Sequence, residues 1–333
     1  MPTGQKAAGR THVAVGAETT RFVIRERNRA GGMTAEDRGQ LTTEQPNPRS
    51  VRLGRMTVRQ SVEAINAEDA TVAGAVQAAL NDVCRAIELV VNAFRSGGRL
   101  IYVGAGTSGR LGVLDATECP PTFLSGPGMV QGIIAGGPAA LTRSVEGAED
   151  HEEDGAAAVE EREVGPKDVL FGIATGGTTP FVHGAIKRAR KRGAKTVFLA
   201  CVRAEEVADD ADVSIRVVTG PEALTGSTRM KAGTATKMVL NMVTTVAMAQ
   251  IGKVYRNLMV DVNTATNAKL VDRGARIVEG CTGRSREASR ALLEAAGGKV
   301  KTALVMHARN VDRDEAERML EGVDGNVGRI LDS

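Results

Sequence analysis

Apolar positions along this chain follow two different periods. Between residues 57 and 94 they return at intervals of three and four: Val58, Val62 and Ile65, then Val72, Val76, Leu80, Val83, Ile87, Val90 and Val91. That spacing predicts two helices, parted by the polar stretch 66–69 and ended by Ser96-Gly97-Gly98. From Leu100 the pattern changes to short continuous apolar runs at 100–103, 130–135, 169–174, 196–201 and 213–217, which predict five buried strands. Helices are predicted between them: from the first turn to about Ala116, at 139–145 and 152–162, and from Pro180 to about Arg192. A longer helix over 232–251 carries Met238, Val239, Met242, Val246 and Ala249 in its apolar set. Strands alternating with helices predict an α/β fold whose parallel sheet is covered on both faces. Residues 270–333 lack such strands and predict short helices near 276–278, 288–295, 301–306 and 314–320. Residues 1–40, rich in Gly, Arg, Thr and Ala, have little periodicity and predict a mobile tail.

Two of the predicted strands run into turns rich in glycine and hydroxyls. The first is Gly104-Ala105-Gly106-Thr107-Ser108-Gly109, the second Thr175-Gly176-Gly177-Thr178-Thr179-Pro180. A strand feeding such a turn and a helix start presents outward N–H groups and the positive end of a helix dipole, which suits an anion. Ligands of open parallel sheets sit at the carboxyl ends of strands, so both turns belong at one edge. The second turn is the stronger phosphate candidate. Thr175, Thr178 and Thr179 offer hydroxyls, Gly176 and Gly177 free amides, and Pro180 suits a first helical turn. An ordinary capped turn is the plain alternative, and the presence of two such loops weighs against it. Glu118 and Glu149 each follow one strand–turn unit at that edge, and two carboxylates at one site can divide acid and base duties. Asp115 and Asp150 are as eligible by residue type, and any of the four suits a surface or capping role.

Gly104, Gly106 and Gly109 also fit the dinucleotide pattern G-x-G-x-x-G. That reading needs an acid at the end of the next strand to hold a ribose. The run at 133–135 ends instead in Gly136-Gly137-Pro138, and no Gly-Lys-Ser/Thr closes the first turn as a Walker loop would. The expectation is therefore no nucleotide cofactor.

Composition narrows the classes further. The net charge of +3 over 333 residues, with 2% aromatics and no Trp, argues against a nucleic-acid surface built from a basic face with stacking rings. Cys84, Cys119, Cys201 and Cys281 are scattered, as are the four histidines, so neither a disulfide framework nor a metal site is expected. No run reaches membrane-spanning length, and no apolar signal core follows the first charges. A cytoplasmic protein without a membrane partner is the expectation.

RLIYVGAGTSGRLGVLDATECPPTF, IAGGPAALTRSVEGAED, and LTGSTRMKAGTATKMVLNMVTT followed by GKVYRNLMVDV, with TEQPNP and TGRSREASRALLEAAGGKVKTALVM beside them, together resemble the N-acetylmuramic acid 6-phosphate etherases, sugar-isomerase-type (SIS) domain lyases. The resemblance runs from about residue 41 to the end. It implies cleavage of the D-lactyl ether of N-acetylmuramic acid 6-phosphate to N-acetylglucosamine 6-phosphate and D-lactate, without metal or nucleotide. By the same resemblance Glu118, in Glu-Cys-Pro-Pro, is the acid and Glu149, in Val-Glu-Gly-Ala-Glu-Asp, the base. It also implies a homodimer with active sites near the subunit interface, serving amino-sugar catabolism or peptidoglycan recycling. One departure stands out. The family's second loop usually reads Ala-Ser-Gly-Arg-Thr-Pro, whereas here Gly176 and Thr178 replace the serine and arginine, and Gly177 and Thr179 remain.

The expected architecture is thus an SIS-type parallel sheet sandwiched by helices over 41–270, after a tail at 1–40 and before a small helical domain at 271–333. The expected catalytic pair is Glu118 and Glu149. The expected substrate contacts are Gly106, Thr107, Ser108, Thr175, Gly176, Gly177, Thr178, Thr179, Ser227 and Lys231. A non-catalytic sugar-phosphate sensor, similar to the glucokinase regulatory proteins, and a sugar-phosphate isomerase are the alternatives.

Overall fold

Strands buried on both faces carry apolar side chains without alternation, and Leu100-Ile101-Tyr102-Val103 is such a run. In the computed structural model, which describes residues 35–262, 264 and 268–333, it becomes the first of five parallel strands. Most of the tail expected over 1–40 lies outside the described residues.

Among the described residues three α-helices precede the sheet: α1 (Val58–Asp69), α2 (Val72–Ala78) and α3 (Leu80–Arg95). Then come β1 (Leu100–Gly104), α4 (Gly106–Phe123), β2 (Val130–Ile134), α5 (Glu152–Glu161), β3 (Val169–Ile173), α6 (Pro180–Lys191), β4 (Lys195–Ala200), β5 (Val213–Arg216) and α7 (Lys231–Gln250). Helices α8 (Ala268–Thr282), α9 (Arg286–Ala295), α10 (Val300–Arg309), α11 (Arg313–Glu321) and α12 (Gly328–Leu331) complete the chain. The strand order is β2-β1-β3-β4-β5, all parallel. One face, with Tyr102, Phe171, Ile173 and Leu199, packs under α3, α4 and α7; the other, with Ile101, Val103, Leu170 and Phe198, packs under α5 and α6. Helices α8–α12 gather around a third apolar cluster that includes Val278, Leu293, Leu304 and Leu320.

Four of the boundaries that differ from the sequence expectation do so for a plain physical reason. Helix α1 continues through 66–69, because Glu68 is buried there against Lys231 rather than solvated in a loop. The second predicted helix is two, broken at Ala79 between α2 and α3. Helix α4 does not stop near Ala116. It runs through Pro120 and Pro121 to Phe123, since Ala116, Cys119 and Phe123 bury one face, and left-handed Leu124 closes it by donating its N–H to the Pro120 carbonyl. The helix expected at 139–145 is a 3₁₀ turn at Gly137–Leu141, where left-handed Gly136 and Gly137 precede Pro138.

Candidate active site

In this strand order the chain leaves β1 toward one side of the sheet and returns through β3 on the other. Crevices at such switch points, at the carboxyl ends of the strands, are where open parallel sheets hold ligands. Gly104 and Ile173, the last residues of β1 and β3, are register partners, so the two hydroxyl-rich turns begin side by side.

Glycines shape the first turn in two ways. A Cβ on Gly104 would stand 2.7 Å from the Gly109 nitrogen, and one on Gly109 would stand 2.6 Å from Ile134 Cγ1, so these two let strand and helix touch. Gly106 is left-handed at φ +51 and faces open space. Helix α4 then starts with no side-chain cap, leaving its first amides for a ligand. The second turn repeats the division. Left-handed Gly177 is wedged against Val202 and Val207, whereas Gly176 meets nothing within 4 Å. Thr179 opens α6 without capping it. The hydroxyls of Thr107, Ser108, Thr175, Thr178, Thr179 and Ser227 make no hydrogen bond among the described residues.

The carboxylates separate into two kinds. Asp115 is buried, accepting from the Tyr102 hydroxyl and the Lys237 ammonium, each at 3.0 Å. Its charge is spent inside the fold. Glu118, one turn further along α4, is exposed and makes no ion pair or hydrogen bond among the described residues, and it does not share the carboxyl edge expected for it: α4 packs Gly109 on Gly104 and Gly112 on Tyr102, so the helix carries Glu118 toward the amino end of β1. Beside it, burial and then the Asp115 charge push the Cys119 thiol up to about 12, so it stays protonated and inert. Glu149 is also exposed and its carboxylate is likewise unpaired among the described residues. Its carbonyl accepts the Phe181 amide at 3.0 Å, which ties it to the first turn of α6, next to the second loop. Gly155 and Gly184 let α5 and α6 meet backbone to backbone and fix that junction: a Cβ on either would lie 1.9 Å from a carbonyl of the other helix. Asp150 is exposed and lies 3.8 Å from Arg38.

Lys231 is placed differently from the other expected contacts. It is buried, its ammonium donates to Glu68 at 2.5 Å, and Glu68 also takes Arg49. Burial pushes the Glu68 carboxyl up, but the Lys231 and Asn47 hydrogen bonds outweigh it and hold it below the usual range. The α7 amides of Lys231 and Ala232 both donate to Glu222, each at 2.9 Å. The start of α7 thus carries its own internal anion, whereas α4 and α6 have none. Glu68, Glu222 and Lys237 were not singled out from the sequence. The usable signal was a charge at an apolar-phase position of a helix, as at Glu68.

Family models match residues 82–190, as a glucokinase regulatory protein N-terminal SIS domain, and residues 147–246, as an SIS domain. The N-acetylmuramic acid 6-phosphate etherase of Trichormus variabilis is 55% identical over 298 residues, spanning 90% of this chain and 97% of that protein. The etherases of Gloeothece citriformis and a Nostoc species are 53% and 54% identical over the same shares. With such identity along nearly the whole of both chains, this protein belongs to the N-acetylmuramic acid 6-phosphate etherase family.

Proposed function

We propose that this protein cleaves the D-lactyl ether of N-acetylmuramic acid 6-phosphate, giving N-acetylglucosamine 6-phosphate and D-lactate. The observation that carries the reading is the 55% identity with an etherase across 97% of its length. The geometry supports it. Two uncapped helix starts and unbonded hydroxyls suit a phosphate and a sugar, and the unpaired carboxylate of Glu149 is tied to the start of α6 beside the second loop.

In the proposed chemistry the sugar opens to its aldehyde, which acidifies the C2 proton. Glu149 removes that proton. Glu118 protonates the ether oxygen as lactate departs, and water adds to the resulting alkene. No step calls for a metal or nucleotide, so activity should survive EDTA. Asp115, engaged by Lys237 and Tyr102, is a poorer candidate for either role than Glu118. The reading includes a homodimer with sites near the subunit interface, a small helical domain at 271–333 supported by its own apolar cluster, and a cytoplasmic place in peptidoglycan recycling.

The test is incubation of the purified protein with N-acetylmuramic acid 6-phosphate and assay of D-lactate. Release of D-lactate is expected. Binding without release would favour the sensor, and an isomerised sugar without lactate the isomerase.

A further inference from the structure

His183 lies one turn into α6, beside the second loop, and neither the two glutamates nor the unbonded hydroxyls account for it. Its Nε2 is 2.6 Å from the Gly177 carbonyl oxygen. A carbonyl only accepts, so Nε2 carries the proton and donates. The imidazole rests on Phe198 of β4, ring centres 5.2 Å apart, and Arg216 lies 5.0 Å from the centre of the same ring. The ring therefore has a fixed seat. Gly177 is held as firmly: its φ is +83, and a Cβ there would come within 2.9–3.1 Å of Val202 and Val207.

The peptide bond between Gly177 and Thr178 is planar and trans, so its carbonyl and its amide point in opposite directions. With the carbonyl anchored on His183, the Thr178 N–H must point away from the ring. That amide has no acceptor among the described residues. A donor on the carbonyl also polarises the peptide and strengthens its N–H as a donor. We infer that His183 is a positioning residue for phosphate recognition, holding the 177–178 peptide so that the Thr178 amide stays aimed at the 6-phosphate of the substrate. The inference rests on the substrate assigned above. It gives this loop, which has glycine at 176 and threonine at 178, a fixed backbone donor.

The experiment compares wild type with His183→Phe, which keeps a ring on Phe198 but loses the donor, and His183→Gln, which keeps a donor. KM and kcat are measured on N-acetylmuramic acid 6-phosphate, with inorganic phosphate as a competing probe. His183→Phe should raise KM and the phosphate inhibition constant together by about 10-fold, with kcat within about 3-fold, as loss of one aligned donor to an anion predicts. His183→Gln should recover most of that loss. If His183→Phe does not fold, His183→Leu carries the same expectation. An unchanged KM, or a fall in kcat and melting temperature with KM unmoved, would overturn the inference and leave His183 a packing residue. Wild-type turnover of the unphosphorylated sugar at equal efficiency would instead sink the phosphate reading itself.

Discussion

The two edges of the sheet are built from similar residue types and treat them in opposite ways. At the amino edge two aspartates are fully engaged. Asp168, just before β3, accepts from the Arg99 amide at 2.9 Å, from the Arg99 guanidinium at 2.7 and 3.1 Å, and from the Gly165 amide at 3.0 Å. Asp212, just before β5, accepts from the Thr196 amide and hydroxyl, each at 2.8 Å. At the carboxyl edge the threonines of both loops and Glu149 lack such partners among the described residues. Buried polar groups are normally satisfied within a fold. Matched polarity at one edge therefore serves the fold, and unmatched polarity at the other is available to a substrate. Changes at the carboxyl edge should cost activity and leave stability alone; changes at the amino edge should do the reverse.

The largest effects are expected at the glutamates. Glu149→Gln should abolish both C2 proton exchange and lactate release, whereas Glu118→Gln should suppress lactate release and spare exchange. Loss of a general acid or base costs about 100- to 10,000-fold. Solvent-deuterium exchange at C2, followed by NMR beside a lactate assay, separates the two roles. Normal exchange in Glu149→Gln would move the base elsewhere, with Asp150 the first alternative.

Next comes Thr179→Val, which removes a hydroxyl from the start of α6. A hydrogen bond to a charged group is worth about 1.5–3 kcal/mol, so KM should rise by roughly 10- to 150-fold with the melting temperature unchanged. A large drop in melting temperature at an unchanged KM would mean that the two edges do not divide labour as described.

Asp168→Asn is the converse. Burial pushes the Asp168 carboxyl up, but the hydrogen bonds from Arg99 and Gly165 outweigh it and hold it below its ordinary 3.8. A carboxyl lowered in the folded state contributes stability at pH above 3.8, and that stability is lost as pH falls through the folded value. The variant should lose about 2 kcal/mol at neutral pH, show a shallower loss of stability below pH 4, and keep its kcat. Urea unfolding at pH 7 and pH 3 measures both; equal slopes on the acid side would discount the pair.

The smallest effect is expected for Gly176→Ser. Gly176 has open space at its Cβ position and is not left-handed, so a serine fits without strain. KM should change by less than about 3-fold, or fall, because the hydroxyls of Thr175 and Thr178 and the free glycine amides already offer donors at this loop, leaving an added hydroxyl little to gain. Gly177→Ala would be a different matter, since its left-handed backbone and its contact with Val202 and Val207 both oppose a side chain.

The strands and both hydroxyl-rich turns were legible in the sequence, because each is a local pattern. A continuous apolar run reports burial on both faces, and a Gly/Thr cluster after it reports a turn. Long-range contacts decided the rest. The polar run at 66–69 resembles a loop, but Glu68 lies inside α1 because its partner Lys231 is 163 residues away. Pro120 and Pro121 promised a helix end, but packing of Cys119 and Phe123 carried α4 past them. Asp115 and Glu118 could not be ranked by residue type, and Lys237, 122 residues on, is what removes Asp115 from contention. Likewise, only the pairing of β1 with β3 brings the two turns together at one crevice. By itself the sequence determined which segments are strands and helices and which residues have the chemistry. Tertiary structure alone decided which strands are neighbours and which charges are already neutralised, since a side chain's partner is set by distance in space and not along the chain.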